Sequence, residues 1–281
     1  MMKELQGRVA VITGAGSGIG AALAHACSEA GMSVVLSDVE PAALDGVADE
    51  IRGRAGNVET LVLDVRDPAA LEALAERAYA AYGACHLLVN NAGVIVFKPA
   101  AKLTLADWDW VLSVNLHGVI HGIAAFVPRM RAQPGEAHIV NTASINGLIS
   151  MGGSGLAAYA ASKFAVVAIA ESLRVELERD QIGVSVVCPG GVATRITQSE
   201  RNRPAEFRDG SEPKPLPDMA AAVDELGRSE RILSPGEVAG RILDAVRANE
   251  LYVITHPDYL DEVRERHRAI EAAFERAISR A

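Results

Sequence analysis

The segment Thr13-Gly14-Ala15-Gly16-Ser17-Gly18-Ile19-Gly20 joins a β-branched run, Val9–Thr13, to a stretch of helical periodicity at residues 18–31. Glycines at this spacing let the chain turn tightly, let its backbone approach another group closely and let the helix pack against the strand. The first turn of such a helix presents unpaired amides and the positive end of the helix dipole. The segment predicts a strand–turn–helix unit that binds the pyrophosphate of a dinucleotide, with a purely structural turn as the alternative.

β-Branched runs and helical stretches alternate along most of the chain. The runs that we predict as strands are Val9–Thr13, Ser33–Ser37, Val58–Leu63, His86–Val89, His138–Thr142, Val184–Cys188 and Leu251–Ile254. The helical stretches lie near residues 18–31, 41–53, 68–82, 107–131, 157–179 and 235–249. This alternation predicts parallel strands with helices on both faces. We therefore expect one domain over residues 1–281, a doubly wound α/β fold around a seven-stranded parallel sheet.

Two stretches depart from this order. Between residues 195 and 233 the alternation stops, and prolines stand among charges of both signs. So long an irregular connection is typical of a lid, a binding loop or disorder; we predict a lid or loop over a substrate, with a short helix at Met219–Arg228. At the end of the chain, residues 258–281 predict an amphipathic helix whose apolar stripe contains Val263, Ile270, Phe274 and Ile278.

The composition limits the classes of partner. Of 281 residues, 27 are Lys or Arg and 36 are Asp or Glu, so the formal net charge is −9. This sign disfavours nucleic acid and anionic membranes and favours a small-molecule substrate. Three widely spaced cysteines, no apolar run of about 20 residues and no signal-peptide pattern predict a cytoplasmic protein. His117 and His121 share a helix face without a third ligand, so we expect no metal site.

The acidic residue that closes the second predicted strand indicates which dinucleotide binds. Asp38 lies eighteen residues after Gly20, where a carboxylate can accept hydrogen bonds from both hydroxyls of the adenosine ribose. A 2′-phosphate would meet this negative charge directly. The neighbours Ser17, Val39 and Glu40 are not basic, so the sequence favours NAD over NADP.

A second motif, Tyr159-Ala160-Ala161-Ser162-Lys163, makes the interpretation much more specific. Together with the glycine-rich segment, Asn90-Asn91-Ala92-Gly93, Asn115, Ser144 and Pro189-Gly190, it resembles the short-chain dehydrogenase/reductase family over about residues 5–195. The three residues between Gly14 and Gly18 are similar to the shorter, single-domain members with a Rossmann-type fold. The resemblance implies oxidation of an alcohol or reduction of a ketone with a nicotinamide cofactor.

The spacing of Tyr159 and Lys163 gives this resemblance a physical basis. Residues four apart on a helix share a face, and an ammonium near a phenol favours the phenolate. A phenol with a pKa of about 10 is otherwise too weak a base at neutral pH. We therefore predict that Lys163 lowers the pKa of Tyr159, which exchanges a proton with the substrate oxygen.

The family pattern assigns two more catalytic residues. Ser144 follows the fifth predicted strand, at the sheet edge where such folds bind ligands, and its hydroxyl can hold the substrate oxygen. Asn115 resembles the residue whose main chain holds a water that links the lysine to solvent; a residue that kinks the helix is the alternative. The chain departs from the pattern at Ala143, which replaces a serine, and in the long interval between Ser144 and Tyr159.

The remaining motifs imply the cofactor site, in which Asp64 and Val65 match the adenine-contacting pair and the segment after Pro189 matches the one that grips the nicotinamide carboxamide. The residues that we expect to bind NAD are Gly14, Ser17, Gly18, Ile19, Gly20, Asp38, Asp64, Val65, Asn91, Ala92, Gly93, Tyr159, Lys163, Pro189, Gly190, Val192 and Thr194.

The sequence thus predicts an NAD-dependent enzyme that interconverts a secondary alcohol and a ketone. Apolar residues after Ser144, namely Ile145, Leu148, Ile149, Met151 and Leu156, predict a mainly hydrophobic substrate. Several stretches are similar to family members that oxidise bulky aryl or alicyclic alcohols. Two alternatives remain, an NADPH-type biosynthetic ketoreductase and a non-catalytic, NAD-sensing binding protein. The resemblance also implies a homotetramer or homodimer formed through the helices near residues 107–131 and 157–179.

Overall fold

The computed structural model describes residues 2–150, 155–208 and 231–280. Seven parallel strands form one sheet in the order β3-β2-β1-β4-β5-β6-β7. The strands are β1 (Val9–Thr13), β2 (Ser33–Asp38), β3 (Val58–Val62), β4 (Leu87–Asn90), β5 (Ala137–Thr142), β6 (Ile182–Cys188) and β7 (Tyr252–Ile254). The predicted doubly wound, seven-stranded parallel sheet is confirmed.

Helices cover both faces of this sheet. They are α1 (Gly18–Glu29), α2 (Pro41–Gly53), α3 (Pro68–Tyr82), α4 (Leu105–Leu112), α5 (Gly118–Ala132), α6 (Ala157–Glu176), α7 (Pro235–Ala248) and α8 (Leu260–Ile278). Prolines in the first turns of α2 and α3 suit positions without an intrahelical amide bond. A reciprocal capping box between Ser234 and Glu237 begins α7.

The core has two layers because successive strand residues point to opposite faces. On one face, Val11 belongs to a buried cluster that contains Phe126 of α5 and Val166 of α6. On the other face, Ile12 belongs to a cluster that contains Leu23 of α1 and Ile242 of α7. Both faces of every central strand are therefore apolar, as fully covered parallel sheets require.

The strand order reverses beside β1, which lies between β2 and β4. Helices leave this point toward opposite sides of the sheet, so a crevice opens outside the carboxyl ends of the strands. The glycine-rich turn, Asp38 and Asn90 all lie at these strand ends. The fold thus brings residues that are distant in sequence to one edge.

The long helix predicted over residues 107–131 is interrupted. Between α4 and α5 the segment Ser113–His117 forms a π-helical turn that contains the buried Asn115. π-Turns occur frequently at functional sites. The combined run Leu105–Ala132 is long and apolar enough, by length and composition alone, to cross a membrane, but 56% of its most apolar window is buried inside the protein.

The two atypical stretches are partly described. After Thr194 the chain forms short 3₁₀ turns at Ile196–Asn202 and Ala205–Phe207, whereas the predicted helix Met219–Arg228 and the predicted wall residue Met151 lie outside the described residues. Helix α8 has the predicted amphipathic pattern but no buried residue. Only the start of its stripe, Val263, packs against a buried cluster.

Candidate active site

The glycine-rich turn forms the floor of a cleft at the carboxyl edge of the sheet. Gly14 and Gly18 have φ angles of +64° and +56°, which residues with a Cβ rarely adopt. A Cβ on Gly14 would lie 2.8 Å from Ala92 Cα, and a Cβ on Gly20 would lie 2.1 Å from the Gly14 carbonyl oxygen. The sequence therefore places bare backbone where the turn packs against residues 91–93.

Side-chain hydrogen bonds join the turn to the neighbouring strand ends. Thr13 Oγ1 accepts hydrogen bonds from the amides of Asn91 and Ala92, at 3.0 and 3.2 Å. Asn91 Nδ2 donates to the carbonyl oxygens of Thr13 and Gly14, at 3.1 and 3.2 Å. We call residues 13–20 and 90–93, held together in this way, the glycine-rich wall.

Asp38 lies where the second strand meets this wall. Its Oδ2 accepts a hydrogen bond from the Gly16 amide at 2.8 Å, and its Oδ1 accepts one from the Glu40 amide at 3.0 Å. A Cβ on Gly16 would lie 2.9 Å from Asp38 Oδ2, so a side chain there would have to displace the carboxylate. The carboxylate is fixed at the cleft edge, in the position expected to meet the adenosine ribose.

Ser144 and Tyr159 meet beyond the end of β5. Ser144 Oγ donates a hydrogen bond to the Pro189 carbonyl oxygen at 3.3 Å and accepts one from the Asn146 amide at 3.2 Å. It is also hydrogen-bonded to Tyr159, in the first turn of α6. Burial raises the pKa of Tyr159 to about 12, and this hydrogen bond lowers it by a smaller amount. The phenol is therefore protonated at neutral pH.

Lys163 lies one helical turn further along α6, on the same face as Tyr159. Its Nζ is 5.5 Å from the centroid of the Tyr159 ring and donates a hydrogen bond to the Thr142 carbonyl oxygen at 2.7 Å. Burial lowers the pKa of the Lys163 ammonium to about 8. The predicted proximity is present, but burial, the largest influence on the pKa of the phenol, raises it, in the direction opposite to the predicted lowering.

Asn115 holds the loop that carries Gly93. Its Oδ1 accepts a hydrogen bond from the Val94 amide at 2.8 Å, and its Nδ2 donates to the Val94 carbonyl oxygen at 2.9 Å and to Ser162 Oγ at 3.1 Å. A Cβ on Gly93 would lie 3.5 Å from Asn115 Oδ1 and 3.6 Å from Lys163 Nζ. The π-turn thus brings Asn115 to the same loop glycine that Lys163 Nζ approaches.

The segment after β6 closes the cleft from the other side. The Pro189 carbonyl oxygen accepts hydrogen bonds from Ser144 and from the Ile145 amide, and the Gly190 amide donates to His256 Nδ1 at 3.0 Å. The Thr194 methyl carbon lies 3.0 Å from the position that a Cβ on Gly18 would occupy. The two sides of the cleft therefore touch at Gly18 and Thr194.

Residues 195–208, which we call the strap, continue along this side and are tied down by charged side chains. Arg201 donates to Glu40 Oε1 from Nε and Nη2, at 3.0 and 2.6 Å. Arg203 Nη2 donates to Asp107 Oδ1 at 2.6 Å, and Glu206 pairs with Arg66 at 3.0 Å. The sequence interpretation missed these pairs, and its only signal was the mixed charge of the segment.

Asp107 is the deepest of these anchors. Its side chain is 1% exposed and also accepts hydrogen bonds from Lys98 Nζ and the Thr104 amide, both at 2.8 Å. Burial raises the pKa of Asp107, but the bonds from Lys98, Thr104 and Arg203 together hold it well below its usual range. The Arg203 guanidinium also lies 4.9 Å from the centroid of the Trp110 ring. This end of the strap is therefore packed as well as charged.

The structure brings most predicted site residues together. The predicted catalytic and cofactor-binding residues all line one cleft except Gly20, which packs beneath the turn, and Asn115; of the predicted apolar wall, Ile145 and Leu156 line it and Leu148 and Ile149 do not. The Asp64 carboxylate in this cleft is already paired with Arg66, at 2.7 Å. Across the described ranges, no cluster of His, Cys, Asp or Glu could hold a metal ion.

The cleft fits an adenine dinucleotide on its own geometry. Gly14 and Gly18 leave its floor without side chains, and the Ser17 side chain forms no capping bond to the first turn of α1 within the described part of the chain. Amides of that turn are therefore available to a pyrophosphate. At the two ends of the floor stand a fixed carboxylate, Asp38, and the Ser144, Tyr159 and Lys163 group.

Comparison with known proteins agrees with this arrangement. Residues 8–205 match the sequence profile of the short chain dehydrogenase family. A C alpha-dehydrogenase from Sphingobium sp. is 36% identical over 273 residues, which cover 96% of this chain and 87% of the relative. A 1-deoxy-11-beta-hydroxypentalenate dehydrogenase from Streptomyces avermitilis is 34% identical over 257 residues, covering 91% and 87% of the two chains.

A solved structure is similar over the whole chain. The crystal structure of a short-chain dehydrogenase/reductase from Burkholderia phymatum in complex with NAD has 40% sequence identity and a TM-score of 0.88, and covers 96% of each chain. The family match, the full-length relatives and the arrangement of Ser144, Tyr159 and Lys163 agree. The chain belongs to the short-chain dehydrogenase/reductase family of oxidoreductases.

Proposed function

We propose that the protein is an NAD-dependent dehydrogenase that interconverts a secondary alcohol and a ketone. The observation that carries this proposal is the contact of Tyr159 with Ser144, with Lys163 Nζ 5.5 Å from the phenol ring, in the cleft that also contains Asp38. One group exchanges a proton, a second orients the substrate oxygen and a third adds positive charge beside them.

The chain's own residues perform the proton transfer. Ser144 Oγ holds the substrate oxygen against the phenol, and Tyr159 gives its proton to a ketone oxygen or takes one from an alcohol. A nicotinamide dinucleotide bound in the cleft supplies hydride exchange at the substrate carbon. The pKa of Tyr159, about 12, favours the protonated phenol that ketone reduction starts from. Alcohol oxidation accordingly gains from high pH.

The position of Asp38 supports NAD as the cofactor. Two backbone amides fix its carboxylate at the adenosine end, where it accepts hydrogen bonds from free ribose hydroxyls and repels a 2′-phosphate. The similar Burkholderia structure contains NAD. A comparison of kcat/KM for NAD and NADP distinguishes this proposal from an NADPH-type ketoreductase.

The substrate side of the cleft favours an apolar substrate. Tyr159 forms a buried cluster with Ile95 and Leu156. Phe97 and, from the strap, Ile196 pack against this cluster. An aryl or alicyclic alcohol would bury its ring here. The similar Sphingobium and Streptomyces proteins, a C alpha-dehydrogenase and a 1-deoxy-11-beta-hydroxypentalenate dehydrogenase, support a dehydrogenase activity.

Three further proposals concern the oligomeric state, the segment that covers the substrate, and the cellular location of the protein. We propose a homodimer or homotetramer formed through α4, α5 and α6, on which Ile120 and Val175 are 41% and 74% exposed. Residues 195–233 are proposed as the substrate cover of a single domain, residues 1–281. A cytoplasmic location stays a prediction, consistent with three free and buried cysteines.

Substitution of Tyr159 by Phe tests the proposal. We expect Tyr159→Phe to lower kcat for alcohol oxidation about 10³-fold, because the proton acceptor is lost, while NAD affinity stays within about threefold. The assay is absorbance of the reduced nicotinamide with a panel of aryl and alicyclic alcohols. Tyr82→Phe, which removes a phenol that does not line the cleft, is the matched control.

Two results would contradict the proposal. Equal kcat in Tyr159→Phe and the parent protein would remove Tyr159 from proton transfer. NAD binding without turnover of any alcohol or ketone in the parent protein would favour the alternative of a non-catalytic, NAD-sensing protein.

A further inference from the structure

The structure adds two cations to the adenosine end of the cleft that are absent from the sequence around Asp38. Arg195 and Arg201, both from the strap, line the same cleft as Asp38, Val39 and Glu40. The neighbours of Asp38 in sequence include no basic residue, but its neighbours in space do. The charge of the Asp38 carboxylate alone therefore does not determine whether this end of the cleft would bind or repel a 2′-phosphate.

The Glu40 carboxylate pairs with the guanidinium groups of both Arg201 and Arg195. Its Oε1 accepts two hydrogen bonds from Arg201 and one from Asn202 Nδ2, the last at 3.0 Å, and its Oε2 lies 3.9 Å from Arg195 Nη2. Arg66, a third cation in the cleft, is already paired with Asp64 and Glu206. One carboxylate, that of Glu40, thus contacts both guanidinium groups of the strap where the ribose would bind.

The location of Glu40 relates this balance to the ribose. The Glu40 amide donates to Asp38 Oδ1, so the backbone of Glu40 adjoins the carboxylate that would meet the ribose hydroxyls. A phosphate monoester carries about −1.5 to −2 charges at pH 7 and is bound well by guanidinium pairs. With Glu40 in place, the guanidinium groups already have an anionic partner.

We propose that Glu40 is a specificity-determining residue, which excludes 2′-phosphorylated nucleotides by keeping Arg201 and Arg195 engaged. Asp38 repels the 2′-phosphate, and Glu40 withholds the cations that would compensate for that repulsion. This inference rests on the proposed function, because it requires an adenine dinucleotide in the cleft. It assigns to the strap a role in nucleotide selection in addition to covering the cleft.

Binding of two fragments tests the inference without turnover. Isothermal titration calorimetry gives the dissociation constants of 5′-AMP and 2′,5′-ADP, which differ only in the 2′-phosphate. We expect Glu40→Gln to improve the affinity for 2′,5′-ADP relative to 5′-AMP by about tenfold over the parent protein. Arg201→Gln in the Glu40→Gln background should remove most of this gain, because the freed guanidinium is lost.

A control and a second variant sharpen the result. Glu200→Gln removes an equivalent charge from the strap, where Glu200 pairs with Arg203 and is 23% exposed against 25% for Glu40, and should leave the affinity ratio unchanged. Arg201→Gln alone removes the cation that offsets the negative charge of Glu40. It should therefore weaken the binding of 2′,5′-ADP relative to that of 5′-AMP. This second variant tests the same balance even if Glu40→Gln does not fold.

The outcomes separate this inference from the proposed function. An unchanged ratio in both Glu40→Gln and Arg201→Gln would overturn the inference, as would an equal gain in Glu200→Gln or a gain that survives loss of Arg201. If the parent protein binds neither 5′-AMP nor 2′,5′-ADP, the proposed function itself would be overturned. Loss of turnover in Tyr159→Phe bears on the proposed function alone.

Discussion

The glycine-rich wall and the strap border the same cleft, but different interactions hold each in shape. In the wall, bare backbone packs against backbone, and Thr13 and Asn91 satisfy the neighbouring amides and carbonyls. In the strap, Arg201, Arg203 and Glu206 reach to three separate segments of the chain, where they pair with Glu40, Asp107 and Arg66 respectively. The wall depends on close contact, whereas the strap depends on charge.

This difference separates two tasks of a nucleotide cleft. At Gly14 and Gly20 an added Cβ would lie less than 3 Å from backbone atoms, so this part of the wall has a fixed shape, which suits the invariant pyrophosphate. Ion pairs depend on protonation and, where exposed, on salt. The ion pairs that fix the strap can therefore be strengthened or weakened by pH and salt. The strap also borders the parts of a ligand that vary, which are the 2′ position of the ribose and the substrate.

The largest effect is expected where a side chain is added to the wall. Gly20→Ala places a Cβ 2.1 Å from the Gly14 carbonyl oxygen and 2.6 Å from Asn91 Nδ2. We expect it to lower the free energy of unfolding by about 3 kcal/mol, measured by urea denaturation, and to abolish nucleotide binding.

Gly46→Ala is the matched control for this substitution. Gly46 lies within α2 and has no neighbour within 4 Å of an added Cβ, so the same change should stabilise the protein by about 0.5–1 kcal/mol. Full nucleotide binding by Gly20→Ala would show that the wall can shift, and the contrast with the strap would fail.

A smaller effect is expected at the buried end of the strap. Asp107→Asn removes the buried carboxylate that Arg203, which is 9% exposed, and Lys98 share. We expect the free energy of unfolding at pH 7 to fall by about 2 kcal/mol, less than for a fully buried pair because Lys98 reaches solvent. Asp244→Asn, at a surface pair with Arg247, should change it by less than about 0.5 kcal/mol.

The same substitution should change how stability depends on pH. The pKa of Asp107 is held below its usual range in the folded protein, so its ionised form stabilises the fold above the unfolded-state pKa of about 4. That stabilisation is lost as the pH falls toward the folded-state pKa. The difference between the parent protein and Asp107→Asn should therefore shrink between about pH 5 and pH 2, in urea denaturation at each pH. A difference independent of pH would show that packing against Trp110, rather than charge, anchors the strap.

The wall was predictable from the sequence because its determinants are local. The glycine spacing, the strand before it and the helix after it lie within one segment, and the interval between Tyr159 and Lys163 is one helical turn. The strap contacts connect residues 161, 96 and 140 positions apart, and no local pattern specifies such partners. The preference for NAD was predicted from the residues around Asp38 that the sequence identifies. Arg195 and Arg201 come close to Asp38 only in the folded protein, so no pattern in the sequence indicates them.

Two further details depend on tertiary structure. The apolar residues over residues 107–131 keep helical spacing through the π-turn at Ser113–His117, so no pattern in the sequence marks the interruption. The spacing of Tyr159 and Lys163 predicts that they are neighbours but not how deeply they are buried. Burial decides the direction in which the pKa of Tyr159 moves.

The smallest effect is expected at the exposed end of the strap. Glu206 is 59% exposed where it pairs with Arg66, and both partners remain accessible to water and salt. We expect Glu206→Gln to leave the urea midpoint within the spread of replicates at 0.5 M NaCl, and to lower it only slightly at low salt, where such pairs are least screened. A loss as large as that of Asp107→Asn, unaffected by salt, would show that the strap is held along its whole length. A salt-sensitive, barely measurable loss would place its anchor at Asp107, so that the Glu206 end can lift from the cleft while the Arg203 end stays in place.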